Sequence, residues 1–423
     1  MRYRNVASVL VAGMWAGCMD RDVAPIEPIS QTIVMGEVIE TVTKVDILVM
    51  VDRSPTMRDE QNALAEHFPT LIRELMDPSA GRFFPVTDLR IGVVSQDLGS
   101  NGVNLRSCEH GLWRYDGGDR GCLLKGPPGV TCAGMEDRRW LTRNGETPDY
   151  SIDEMARDFG CIAQQGPNGC GIEQQIESVR MSLAERTAPG ECNEGFLRTD
   201  SILGIVLISD EEECSVADPL IFVERAPGLN PAMNLRCFFD QHLLIPVGRL
   251  VDGLNALRGP DAPTTVVAMI VGVPIDPICE TRGDTIAGCL LRGDMEYRPN
   301  PASPGEVLPA CRRTMPDGSI NWAAPGRRFV EAAQMLRDRA LVRSICSADW
   351  RPAMEAVLEL IQGAVQVCFP RALELDLETE VDPDVCVADC NVVEVLTDAR
   401  PCPPGREPDP DRETETADGR ERR

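Results

Sequence analysis

Three near-continuous apolar runs, Val45–Val51, Ile202–Ile208 and Thr264–Val273, restrict this chain more than any other feature. A run with no polar alternation suits a strand buried on both faces, which is the environment of a parallel sheet covered by helices. Leu89–Ser95 reads as a further strand. Between the runs, apolar residues recur at helical spacing. Examples are Leu64, Phe68, Leu71, Ile72 and Leu75; then Ile172, Ile176, Val179 and Leu183. Leu243–Leu257, Phe329–Leu336 and Met354–Val365 continue the pattern. Strand–helix alternation predicts an α/β fold, a doubly wound and mostly parallel sheet, over residues 43–370. Ser54-Pro55 predicts a helix cap followed by a first-turn proline. Pro69, inside the first helical pattern, predicts a kink or a split. Insertions at roughly 98–170, 213–240 and 275–325 enlarge the domain. Each begins after a strand, so all three leave the carboxyl edge, where open α/β sheets bind ligands.

The 423 residues include 17 cysteines but only three histidines, His67, His110 and His242, and no Cys-x-x-Cys pair. Zinc clusters are disfavoured by that spacing, and disulfides in an oxidising compartment fit better. Ten of the cysteines fall in the three insertions, which are thus expected to be disulfide-stapled. The odd total is accounted for at the amino terminus. Arg2 and Arg4 precede an apolar stretch, Val6–Trp15, too short to span a bilayer and suited to a signal peptide over 1–17. Ala16-Gly17-Cys18 then resembles a bacterial lipobox, with Trp15 where a leucine-like residue is usual. On that resemblance Cys18 is lipidated, residues 18–42 are a lipid-anchored linker, and the protein is held at the outer membrane or cell surface. The plainer alternative is a secretory signal that leaves Cys18 a spare thiol. With Cys18 set aside, the remaining cysteines are even in number and can all pair. Leu373-Glu-Leu-Asp-Leu377 predicts a short β-rich extension over 371–398. Residues 399–423, Pro-rich and charged, are expected to be disordered. The net charge of −25 argues against nucleic acid and against anionic lipid surfaces as partners.

The first apolar run ends in Asp52-Arg-Ser-Pro-Thr56, a D-x-S-x-T pattern, and the run Ile202–Ile208 leads to Asp210. One carboxylate and two hydroxyls at a strand end, with a second carboxylate from the neighbouring strand end, are hard oxygen donors suited to Mg²⁺, Mn²⁺ or Ca²⁺. Taken singly, Ser54 could be a helix cap and Asp210 a solvated turn acid. Glu211–Glu213 could be an exposed charged loop, or could converge with Asp210 on the binding edge.

These residues resemble the von Willebrand factor type A domain and its metal-ion-dependent adhesion site. Asp52, Ser54, Thr56 and Asp210 match that family's D-x-S-x-S turn and its later Asp, with Thr56 replacing Ser. The stretches Lys44-Val-Asp-Ile-Leu48 and Arg90-Ile-Gly-Val-Val94 are also similar to secreted, cysteine-rich bacterial lipoproteins of this type. The resemblance implies a bound divalent cation, foremost Mg²⁺, and a protein partner in the envelope or on a surface. The family's remaining threonine corresponds most nearly to Glu173, in Cys170-Gly-Ile-Glu173. Glu173 could ligate the ion or could be an exposed acid at a helix start, favoured by the dipole. If it ligates, the ion is already neutralised and an acidic partner group is less strongly drawn.

Two Arg-Gly-Asp tripeptides, at 282–284 and 292–294, read as chance turns. No nucleophile, Walker or dinucleotide motif is present. The expected function is therefore non-enzymatic: metal-dependent adhesion or protein binding. A metal-free scaffold in an envelope or secretion assembly and a metal-dependent hydrolase are the alternatives.

Overall fold

The computed structural model describes residues 43–365, except 80–84, 104, 106–107, 111–112, 115–117, 148–149, 224–234, 260–263, 304 and 316–317. The proposed signal peptide, Cys18, the linker to residue 42, the extension at 371–398 and the tail lie outside the described residues. In chain order the elements are β1 (Lys44–Val51), α1 (Arg58–Met76), β2 (Asp88–Ser95), β3 (Glu109–His110), β4 (Trp113–Arg114) and β5 (Trp140–Arg143). There follow α2 (Ile152–Ala163), α3 (Gln175–Ala184), β6 (Ile202–Ser209), α4 (Arg236–Phe239), α5 (Val247–Asn255) and β7 (Thr265–Val271). The last are β8 (Cys311–Thr314), β9 (Ile320–Ala323), α6 (Arg327–Leu336), β10 (Ala340–Ser344) and α7 (Arg351–Val365).

Six strands form one sheet in the order β10-β7-β6-β1-β2-β5, parallel except for β5, which runs antiparallel to β2. Two small antiparallel hairpins, β3–β4 and β8–β9, stand apart. Period-two alternation divides the apolar runs between two helical layers. Val45, Ile47, Val49 and Val51 of β1 face α1, α2 and α7, represented by Leu64, Phe68, Phe159, Val357 and Ile361. Leu48 and Met50 face α3, α5 and α6, through Ile176, Val179, Leu250 and Phe329. Burial on both faces is the reason these strands carry no polar alternation. The sheet order reverses between β1, which pairs with β2 on one side, and β6 on the other. That switch point is where a crevice opens at the carboxyl ends of the strands.

Several local expectations are corrected. Ser54 does not cap a helix: residues 54–57 form turns, and α1 starts at Arg58 with Met57 as its cap residue. Pro69 does not split α1, which runs unbroken from 58 to 76. Packing holds it: Phe68 stacks on Phe159 of α2 with ring centroids 4.1 Å apart. A side chain on Gly160 would come within 3.7 Å of the Ala65 carbonyl, the group that Pro69 leaves without its amide donor. Ile172 lies before α3 rather than in it. The first insertion is more than a loop, since it supplies the edge strand β5 and helix α2.

The insertions are disulfide-stapled as expected. Cys108–Cys170, Cys132–Cys161, Cys214–Cys237 and Cys279–Cys289 close within insertions, and Cys122–Cys192 and Cys311–Cys346 tie insertions to the main body. Among the described residues no helix is long and apolar enough to cross a membrane.

Candidate metal centre

The site is built at the switch point. The Asp52 amide donates to the Ile208 carbonyl at 3.0 Å, extending the β1–β6 pairing one residue past β1. The chain then turns: the Ser54 amide donates to Asp52 Oδ1 at 2.7 Å, and the Met57 amide returns to the Ser54 carbonyl at 3.2 Å. This Asx turn aims Ser54 across the crevice. Its Oγ lies 3.1 Å from Thr56 Oγ1 and donates to Asp210 Oδ1 at 3.2 Å. Asp52, Ser54 and Asp210 are buried, while Thr56 is exposed, so the cluster opens outward on the Thr56 side. All four residues expected from the D-x-S-x-T pattern and the later Asp are thus brought together.

Glu173 joins them. It is only 7% exposed and precedes α3, whose cap residue is Gln174, so it is not an exposed helix-start acid. Its carbonyl accepts from the Cys214 amide at 2.9 Å, stitching it to the segment that follows Asp210. The two disulfides nearest in sequence, Cys108–Cys170 and Cys214–Cys237, pack together in one small apolar cluster with Ile172, Phe222 and Leu243.

The acidic run divides. Glu212 accepts from the Arg327 amide at 2.9 Å and the Arg328 amide at 3.2 Å, capping α6, and also accepts from the Tyr297 hydroxyl. Glu213 pairs with the buried Arg328 at 2.9 Å. Only Glu211 stays with the cluster, so the expectation that all three acids converge on the edge is corrected.

Burial and mutual repulsion govern the carboxyls. Asp52 is pushed up to about 6 by burial, against the lowering effect of the Ser209 hydroxyl and the Ser54 amide. Burial, then the nearby Asp52 and Glu211, hold Asp210 well above the usual range. Burial, then Asp52 and Glu211, do the same to Glu173. Glu211 rises to about 8 through burial and the neighbouring Asp52.

Several supporting residues escape a reading of the sequence. The Ser209 hydroxyl donates to Asp52 Oδ2 and accepts from Gln175 Nε2 at 3.0 Å, which fixes its direction. Gln61 donates to the Asp52 carbonyl at 2.8 Å and exchanges bonds with the Gly166 backbone. The Arg53 amide donates to Gln96 Oε1 at 3.0 Å, and the Arg53 carbonyl accepts from the Gly169 amide at 2.8 Å. The Arg53 guanidinium pairs with buried Asp119 at 2.7 Å. Only Ser209 carried a signal, a hydroxyl beside Asp210 at the end of an apolar run. The glutamines act through tertiary contacts that spacing does not reveal. Both Arg-Gly-Asp tripeptides make ordinary structural contacts: Arg282 donates to the Asp338 carbonyl at 3.0 Å, and Arg292 pairs with its own Asp294 and with Asp276.

The donor set is two carboxylates with two hydroxyls, and Glu173 and Glu211 beside them. It fits a hard divalent cation rather than a soft one. Among the described residues no three His, Cys, Asp or Glu side chains are grouped tightly enough to form a cage by themselves. The hydroxyls of Ser54 and Thr56, and water, would have to complete the shell.

No family model matches the sequence, and neither does any characterised protein searched. Among solved structures 13 chains match. One is proximal thread matrix protein 1 from the mussel byssus, at 14% identity and a TM-score of 0.25, covering 55% of this chain and 39% of that one. The present chain thus spans well under half the length of the mussel protein. Another is an aerotolerance-related membrane protein from Bacteroides fragilis NCTC 9343, at 12% identity and a TM-score of 0.27, covering 75% of this chain and 99% of that one.

Proposed function

We propose that this is a non-enzymatic, cation-dependent protein-binding module with a von Willebrand factor type A-like site, working outside the cytoplasm. One observation carries the reading. Asp52 and Asp210, from two strand ends flanking the switch point, are both buried and are bridged by Ser54, whose amide donates to Asp52 and whose hydroxyl donates to Asp210. Two buried carboxylates with further acids beside them are costly without a counter-charge. A divalent ion held by Asp52, Asp210, Ser54 and Thr56, with Glu173 ligating directly or through water, would supply it. The ion, foremost Mg²⁺, would complete or shape a recognition surface for an envelope or surface protein. Six disulfides among the described residues support an oxidising compartment.

Titration calorimetry with Mg²⁺, Mn²⁺ and Ca²⁺ tests the site. Binding to the wild type, lost in Asp52→Ala and in Asp210→Ala, is expected; heat of binding for none of the three ions overturns the reading. A metal-free scaffold is the second reading, favoured by the way Ser54 and Ser209 already satisfy the two carboxylates. Partner capture that survives EDTA selects it. Attachment through lipid on Cys18 is a separate proposal. Mass spectrometry of the mature protein is expected to find an acylated Cys18 at its start, and an unmodified start elsewhere would end that idea.

A further inference from the structure

The sequence carries three Asn-Gly steps, Asn101-Gly102, Asn144-Gly145 and Asn168-Gly169. Such a step is chemically labile, because glycine has no side chain to shield its amide nitrogen from the asparagine carboxamide. The fold treats the three differently.

Asn168 is exposed, but the Gly169 amide donates to the Arg53 carbonyl at 2.8 Å. Space is closed there as well: a Cβ on Gly169 would meet Gln96 Nε2 at 2.6 Å and Arg53 Cβ at 3.0 Å. At Asn144 the carboxamide is engaged. Its Oδ1 accepts from the Glu146 amide at 2.9 Å, and the Asn144 amide donates to Thr147 Oγ1 at 2.9 Å. This Asx turn holds the side chain past Gly145, away from the nitrogen it would have to meet.

Asn101-Gly102 is open. Both residues are exposed, with φ of 51° and 80°. Positive φ at both central residues is the pattern of a type I′ turn. The Val103 amide closes the turn on the Ser100 carbonyl at 3.0 Å, and the Ser100 hydroxyl donates to the Val103 carbonyl at 2.5 Å. These bonds hold the flanks and leave the peptide between Asn101 and Gly102 untouched. Among the described residues no hydrogen bond is made by the Asn101 side chain or the Gly102 amide. A Cβ on Gly102 would meet nothing within 4 Å, so there is room for a ring. Glycine tolerates either sign of φ, which lets this peptide rotate for attack.

We infer that Asn101 is a site of spontaneous deamidation, and that the fold protects the other two steps. The Gly102 nitrogen gives its proton to hydroxide and bonds to Cγ of Asn101. The Cγ–NH₂ bond breaks, its nitrogen takes up a proton and leaves as ammonia, and a five-membered imide remains. Water then opens either C–N bond of the imide, leaving aspartate or isoaspartate at position 101. Each event adds one negative charge, and isoaspartate adds one backbone methylene. The change falls on the segment leaving β2, which is parallel to β1 and so ends at the same sheet edge as Asp52. The inference stands whether or not that edge holds an ion.

The test incubates the full chain, disulfides intact, at mildly alkaline pH and follows each Asn-Gly peptide by mass spectrometry. Asn101 is expected to convert about tenfold or more faster than Asn144 and Asn168, whose reaction waits on breaking the bonds that hold them. In denaturant the three rates should converge. Asn101→Gly keeps the positive φ without the carboxamide, and should abolish the mass rise in that peptide. Conversion of Asn144 or Asn168 as fast as Asn101 in the folded chain overturns the inference. So does conversion of Asn101 only after denaturation, or a spread among the three that persists in denaturant.

Discussion

Ser209 shows how a residue that need not touch an ion could govern it. Its hydroxyl accepts from Gln175 and donates to Asp52, so the Asp52 carboxylate is held with one oxygen on Ser209 and the other on the Ser54 amide. Partners that orient a ligand typically contribute tenfold to a hundredfold in metal affinity. Ser209→Ala is therefore expected to weaken Mg²⁺ binding by about tenfold, read by calorimetry, and to lower the unfolding midpoint modestly, because Asp52 and Gln175 each lose a buried bond. An unchanged affinity would mean that Ser54 alone orients Asp52. The D-x-S-x-T pattern was legible because its donors are contiguous and follow a strand unmistakably buried on both faces. The acids were harder. Glu211, Glu212 and Glu213 are identical in type and adjacent, yet one faces the site, one caps α6 and one pairs with Arg328. Side-chain direction at a strand exit depends on what packs there, which composition does not encode.

At the scale of elements, legibility tracked burial. β1, β6 and β7 are covered on both faces and announce themselves as apolar runs. β5 and β10 lie at the sheet edges and are only four and five residues long. In β5 Leu141 alone is buried, too little for a periodic signal. Helix α2 did carry a signal, because Ser151 and Glu154 form a reciprocal capping box. Its setting among turn-rich segments concealed it. The close approach of backbones at the end of β7 gives an element-scale prediction. A Cβ on Gly272 would meet the Ala324 carbonyl oxygen at 1.8 Å, and Ala324 in turn donates to the Asp210 carbonyl. Backbone cannot be displaced there without moving the wall of the site. Gly272→Ala is expected to cost about 1–3 kcal/mol of stability, read as a lowered denaturant midpoint. It should also weaken Mg²⁺ binding. Ala on Gly248 in α5, where nothing lies within 4 Å, is the control expected to leave Mg²⁺ binding unchanged and stability equal or slightly raised.

For the whole molecule, the buried acids predict how stability depends on pH. Below about pH 4 these carboxyls are protonated in both folded and unfolded chains and cost nothing. As pH rises, the unfolded chain ionises first, at ordinary carboxylate values. Folded Asp52 follows only at about 6 and Glu211 at about 8, with Asp210 and Glu173 also raised. The folded state then binds more protons than the unfolded one, so this cluster loses stability as pH climbs from about 4 through about 8. A divalent cation favours the ionised carboxylates and must displace their protons to bind, so its affinity grows over the same interval. Saturating Mg²⁺ should therefore raise the unfolding temperature little near pH 5 and most near pH 8, by several degrees for about 2–3 kcal/mol of binding free energy. Calorimetric melts at both pH values, with Mg²⁺ and with EDTA, measure the difference. Asp52→Asn, which removes the charge but keeps the shape, should flatten it. Cys122–Cys192 and Cys311–Cys346 tie the first and third insertions to the main body, and the disulfides are left intact in every arm. A cation-induced shift that is the same at both pH values would place the ion away from these carboxylates and return the switch point to a scaffold role.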